Sequence, residues 1–189
     1  MSDHHPSATP IVRILSAAEF AAHKHAGQRR KGAAQEPYIN HVIEVARLVA
    51  ENSELQDVEL VMACLLHDTV EDTDATTEQL TAIFGNDVAS LVAEVTDDKT
   101  LPKETRKELQ IKNASHKSPR AQTLKVADKI SNLRSILVSP PAGWDLDHRR
   151  QYFDWAKQVV DRLPSANPAL KAEFDRVYAS FNTCMNSPT

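Results

Sequence analysis

Glycine sets the first constraint on this chain. There are only four in 189 residues: Gly27, Gly32, Gly85 and Gly143. Folds that cradle phosphates with backbone N–H groups need several glycines at fixed spacing, because a side chain would block the close approach. Neither GxGxxG nor GxxxxGK[S/T] can be written from these four, which excludes Rossmann and P-loop sites. Any phosphate chemistry must use side chains and metal instead. Scarce glycine, 5% aromatic residues and long stretches of 3.6-residue apolar period predict an all-α chain.

The periodicity sets the helices in order. Residues 1–13 read as an N-terminal arm and 14–189 as one helical domain, with no repeat or linker to divide it. Ser16 with Glu19 has the form of a capping box opening a first helix towards Ala26. A polar segment, residues 27–37, carries Arg29, Arg30 and Lys31. The next helix shows Val42, Val45, Ala46 and Val49 on one face and fades near Ser53. About residues 57–70 the apolar side chains occupy every side, the pattern of a buried helix. Helices follow at about 77–84, stopped by Gly85, and at 88–95, with Pro102 opening another in a charged stretch. Ser118-Pro119 starts a long helix to Val138, with Leu124, Ala127, Ile130 and Leu133 at core spacing. Two more, at about 147–163 and 168–185, close the domain.

Charge and cysteine narrow the function classes. Lys and Arg total 22 against 26 Asp and Glu, a net charge of -4, which argues against a nucleic-acid binder. No apolar stretch approaches the ~20 residues of a membrane span, and residues 1–10 lack the apolar core of a secretory signal. Cys64 and Cys184, far apart, make neither a disulfide framework nor a zinc ribbon, so a cytoplasmic protein is expected. The sequence sets no oligomeric state.

The residues that demand a chemical explanation are His67-Asp68 and Glu71-Asp72, at the end of the most apolar helix. At i,i+4 spacing these four project from one region. Three carboxylates and an imidazole are costly to bury unpaired, and a divalent cation relieves that cost; a solvated acidic helix end is the alternative. His41 opens the second helix, and Asp128 sits between core positions with Asn132 one turn on. Taken singly, His41 fits a surface residue and Asp128 a partner for Lys129. As a set, His41, His67, Asp68 and Asp128 offer two imidazoles and two carboxylates, suiting a borderline-hard ion with open positions for water and substrate.

His…His-Asp…Asp resembles the metal signature of the HD phosphohydrolase superfamily. The surrounding segments narrow it: residues 27–31 (GQRRK), 37–41 (PYINH), 65–73 (LLHDTVEDT), 95–99 (VTDDK), 125–134 (KVADKISNLR) and 152–156 (YFDWA). In that order they are similar to the hydrolase domain of RelA/SpoT-type enzymes, above all to the small stand-alone alarmone hydrolases of metazoan type. The resemblance runs from about Ser16 to Leu163. Val42 stands where the family usually has proline, and His148 where its metazoan-type members have arginine.

The resemblance implies an all-α HD bundle with its metal, Mn²⁺, between helices on His41, His67, Asp68 and Asp128. It implies hydrolysis of (p)ppGpp to GDP or GTP and pyrophosphate, with Glu71 and Asp72 as general acid and base in an order the sequence leaves open. Arg30, Lys31, Lys103, Asn132 and Tyr152 are the implied substrate contacts, with Arg106 a further phosphate contact. Lys125 and Arg134 are expected in structural or supporting pairs. Adenosine alarmones and the 2′-phosphate of NADPH are alternative substrates, and a non-catalytic alarmone-binding module is the rival from another class.

Overall fold

Side-chain caps start most of the helices, and the computed structural model describes them over residues 9–52 and 57–185. The elements are α1 Pro10–Lys24, α2 Ile39–Asn52, α3 Val58–Leu66, α4 Thr69–Asp72, α5 Thr77–Phe84, α6 Asn86–Val95 and α7 Lys103–Asn113. A 3₁₀ turn, Ala114–His116, leads into α8 Pro119–Val138, α9 Leu146–Asp161 and α10 Pro168–Met185. Every regular element among the described residues is helical, as expected. None of these helices is long and apolar enough to cross a membrane.

Most starts follow the sequence signals. Asp57 accepts from the Leu60 amide at 2.9 Å, and Asp145 from the His148 amide at 2.8 Å. Ser118 accepts from Ala121 at 3.3 Å, with Pro119 in the first helical position as expected. The first helix corrects the sequence reading. Thr9 is the N-cap and Pro10 the first residue, so α1 begins two turns before Ser16, whose hydroxyl donates to the Val12 carbonyl inside the helix. The Thr-Pro pair is the stronger start signal, and residues 10–13 belong to the helix rather than to an arm. The rest of the expected arm, residues 1–8, and the fade-out of α2 near Ser53 lie outside the described residues. Gly85 takes φ +91°, which lets it end α5 and start α6 without an intervening loop.

Two buried helices carry the site. In α3, Val58 and residues 60–66 are all buried, packed by α1, α2, α6 and α8. In α8 the expected core residues Leu124, Ala127, Ile130 and Leu133 are fully buried. Each such Leu or Ile contributes about 1.5–3 kcal/mol relative to exposure. But α8 is also buried on its polar side, by α2, α6, α9 and α10, taking Lys125, Asp128, Lys129 and Ser131 inside. Polar groups held this way need partners, and those partners form the site.

Candidate metal centre and active site

The expected continuous helix through residue 70 breaks at His67-Asp68. The last carbonyls of α3 would otherwise be unsatisfied. The His67 ring donates from Nδ1 to the Cys64 carbonyl at 2.8 Å, and the Thr69 hydroxyl donates to the Leu66 carbonyl at 2.6 Å. With these carbonyls taken by side chains, the backbone turns at Asp68 and resumes as the one-turn α4. The Asp72 amide still donates to the Asp68 carbonyl at 2.8 Å. The break aims His67 and Asp68 into the interior, and α4 carries Glu71 and Asp72.

His41 comes from the first turn of α2, His67 and Asp68 from the α3–α4 joint, and Asp128 from the middle of α8. One ligand atom each of His41, His67 and Asp128 lies within 4.8 Å of the others, and all three residues are buried. Asp68 joins them: its Oδ2 is 3.5 Å from His41 Nε2 and 3.1 Å from His67 Nε2. Asp128 Oδ1 lies 3.4 and 3.9 Å from the same two nitrogens. Since Nδ1 of His67 donates to a carbonyl, its Nε2 is the nitrogen left for a ligand, and Nε2 is buried with no hydrogen-bond partner. An unsatisfied buried polar group costs about 1–3 kcal/mol. A divalent cation at this point satisfies that nitrogen and two carboxylates together, so the donor set fits a metal.

Electrostatics agree with that fit. Burial opposes the charged form of His67, but Asp68 and Asp128 outweigh it and lift the imidazole to about 9, so a proton competes with a cation for this nitrogen. Burial also works against both carboxylates, yet each is held well below the usual range, Asp68 by His67 and His41 and Asp128 by Lys129 and the two imidazoles. The Tyr38 hydroxyl donates to Asp68 Oδ2 at 2.6 Å, and Asn132 Nδ2 donates to Asp128 Oδ1 at 2.6 Å. Burial beside Asp68 pushes the Tyr38 phenol far up, so it stays a neutral donor.

On α4, Glu71 accepts from the Asp97 amide at 3.0 Å and faces Arg106 at 3.5 Å. Burial raises its carboxyl above the usual range, against the Asp97 amide and Lys125. Asp72 is paired with Lys99, and its carbonyl accepts from Gln28 Nε2 at 2.6 Å. Gln28 is steadied in turn by the buried His25 at 2.7 Å, whose ring packs against Tyr38 with centroids 4.9 Å apart and a tilt of 33°. The chain thus buttresses α4 from the loop at 27–37.

A cavity of about 240 Å³ adjoins the cluster, and its wall includes Tyr38 and Asn132, the two residues bonded to Asp68 and Asp128. Arg30, Lys31, Lys103, Asn132 and Tyr152, from four separate parts of the sequence, all line it. Arg106 does not: it turns to Glu71, and its neighbour Lys107 lines the cavity instead. Because α7 has no buried residue, it has no apolar stripe from which its rotation can be read. Tyr38 and Trp144 are cavity residues that sequence reasoning missed, and His148 stands in the sequence only as a departure from the family pattern. His148 stacks on Trp144 at 4.2 Å and 11°, and both line the cavity. The Tyr152 hydroxyl stays neutral, since burial raises it. Arg30 also donates to Asn132 at 3.2 Å.

Gly32 positions the basic loop by close approach. A β-carbon there would lie 2.2 Å from the Ser139 carbonyl oxygen, where Gly32 bridges to Pro141. Gly32→Ala must push the loop off the end of α8 and carry Arg30 and Lys31 with it. The expected result is a raised KM with metal binding unchanged, read from steady-state kinetics and metal titration side by side.

Comparison with known proteins agrees with this geometry. The model of the HD domain family matches residues 17–152. The guanosine-3′,5′-bis(diphosphate) 3′-pyrophosphohydrolase MESH1 of Drosophila melanogaster is 47% identical over 169 residues, 89% of this chain and 94% of that protein. MESH1 of Homo sapiens is 47% identical over 167 residues, 88% of this chain and 93% of that one. A solved structure of a metazoan ortholog of SpoT that hydrolyzes ppGpp superposes with a TM-score of 0.87 at 45% identity, covering 92% of this chain and 98% of that one. With helices, buried cluster and sequence in agreement over most of its length, the chain belongs to the HD-domain family, in the branch that holds the MESH1 proteins.

Proposed function

We propose that the protein is a metal-dependent 3′-pyrophosphohydrolase of (p)ppGpp, releasing pyrophosphate and leaving GDP or GTP. One observation carries this reading. A largely buried two-imidazole, two-carboxylate cluster adjoins a cavity lined by Arg29, Arg30, Lys31, Lys103 and Lys107 and, among the described residues, by no acidic side chain. Five cations around a cleft suit a ligand bearing several phosphates, and the relatives named above carry this activity in their names.

In this reading His41, His67, Asp68 and Asp128 hold Mn²⁺. Bound there, the ion would supply Lewis acidity to phosphoryl oxygens and make water more acidic. Arg30, Lys31 and Lys103 hold the phosphates, with Arg30 able to lay its guanidinium plane on the purine. Tyr152 donates to the 5′ phosphates, and Asn132 to the ribose or to water. Glu71 and Asp72 carry the two protons the reaction needs moved, one off the water and one onto the departing O3′. Burial raises the Glu71 carboxyl and favours it as the group that takes and returns a proton, while Asp72 is engaged by Lys99. A nucleotide substrate and the lack of a cysteine framework support a cytoplasmic location.

The test is turnover with Mn²⁺ of (p)ppGpp, (p)ppApp and NADPH, with product analysis. We expect pyrophosphate and GDP or GTP, with a KM that rises with ionic strength because charge attraction across a wet cleft is screened. Preference for the adenosine alarmone or for NADPH would reassign the substrate but keep the metal chemistry. No turnover of any of the three would leave a binding module.

A further inference from the structure

Resting on the metal-site reading above, we propose that Ser131 and Glu44 are positioning residues that fix the ring and tautomer of His41, and so set the affinity of the site for its cation.

Ser131 Oγ lies 2.9 Å from His41 Nδ1 and 2.7 Å from Glu44 Oε2. A hydroxyl has one hydrogen to give. The Glu44 carboxylate is held in its charged form by Arg134 at 2.9 Å and by Ser131 itself, against its burial, so it can only accept. The Ser131 hydrogen therefore goes to Glu44. What Ser131 has left for His41 is a lone pair, and Nδ1 must carry the hydrogen. In a neutral ring this leaves the lone pair on Nε2, the atom that faces Asp68 at 3.5 Å and Asp128 at 3.4 Å. The chain from carboxylate through hydroxyl to imidazole thus selects the tautomer that can ligate. His67 reaches the same tautomer through the Cys64 carbonyl.

The relay is held by register as well as by bonds. His41 and Glu44 are three apart on α2, and Ser131 and Arg134 are three apart on α8, so each pair lies on one helix face. Arg134 also reaches Glu173 on α10 at 2.6 Å, which anchors Glu44 from outside. His41 is 3% exposed and Ser131 1%, so their bond is shielded from water and holds the ring firmly. Partners of this kind behind a metal-ligating histidine are typically worth about 10–100-fold in metal affinity or activity.

The experiment measures Mn²⁺ binding, from the electron paramagnetic resonance signal of the free ion, in wild type, Ser131→Ala, Glu44→Gln, Arg134→Met and Asp128→Ala. Melting temperature and turnover at saturating Mn²⁺ are recorded for each. We expect Ser131→Ala to weaken binding by about 10–100-fold, with most of the lost turnover regained at high Mn²⁺. Glu44→Gln should weaken it less, since the amide oxygen still accepts but without charge. Arg134→Met removes the ion pair that anchors Glu44 while leaving the Ser131–Glu44 bond, and should lower the melting temperature and weaken Mn²⁺ binding less than Ser131→Ala does. Wild-type affinity in Ser131→Ala, or equal weakening in Arg134→Met, would overturn the relay. If Asp128→Ala loses Mn²⁺ while Ser131→Ala does not, only the relay falls; if Asp128→Ala binds like wild type, the metal site falls and takes the relay with it.

Discussion

Asp128→Asn is expected to abolish both divalent-cation binding and turnover while leaving the chain folded. Asp128 stands where three demands meet. Its Oδ1 lies 3.4 Å from His41 Nε2 and accepts from Asn132, and its Oδ2 pairs with Lys129 at 3.1 Å. The Lys129 ammonium is buried, 4.5 Å from the Trp155 ring centroid, and has its charge balanced by this carboxylate. Asp128→Ala therefore does two things at once. It deletes a proposed ligand and strands a buried cation, a loss of about 3–5 kcal/mol when one partner of a buried pair is removed. The asparagine keeps an oxygen beside Lys129 and should melt much closer to wild type. Comparing melting temperature, bound Mn²⁺ and kcat for the two variants separates folding from chemistry. Wild-type turnover in Asp128→Asn would rule out the proposed centre.

The second large effect belongs to Glu71. Glu71→Gln keeps an oxygen for the Asp97 amide, so the local fold should hold. The amide cannot take or return a proton, and kcat should fall by about 10²–10⁴-fold with Mn²⁺ binding intact. The pH profile gives an independent check. Burial raises the Glu71 carboxyl, so it stays protonated to a higher pH than an exposed glutamate. A base works only above its own pKa. The acid limb of kcat/KM in wild type should therefore sit higher than an exposed glutamate would place it, and Glu71→Gln should remove it. Near-full activity of Glu71→Gln at saturating Mn²⁺ would end this assignment, and Asp72, paired with Lys99, would be next to test.

The cluster was legible because its residues sit in uncommon local patterns. His67-Asp68 follows an apolar run that had to be buried, and Asp128 lies between core positions of a long helix. A charged group in such a place needs a reason, and metal binding is one that side-chain spacing can suggest. The helix break between His67 and Asp68 was not legible, because it depends on His67 and Thr69 choosing backbone carbonyls over other partners. Nor was the role of Arg106, because a helix with no buried residue carries no clear stripe to show which way it faces.

The sequence by itself determined the class of fold, the helix order, the types of the candidate ligands and the exclusion of backbone phosphate cradles, since each depends on local periodicity, caps or composition. The tertiary structure alone decided which partners stand behind the ligands. Tyr38 on Asp68, Ser131 and Glu44 on His41, and Lys129 and Asn132 on Asp128 each join positions whose pairing or depth is set by how helices pack. The physical reason is that spacing along one helix fixes which side chains share a face, whereas what that face meets is fixed by its neighbours. For α8, those neighbours bury the polar side as fully as the apolar one.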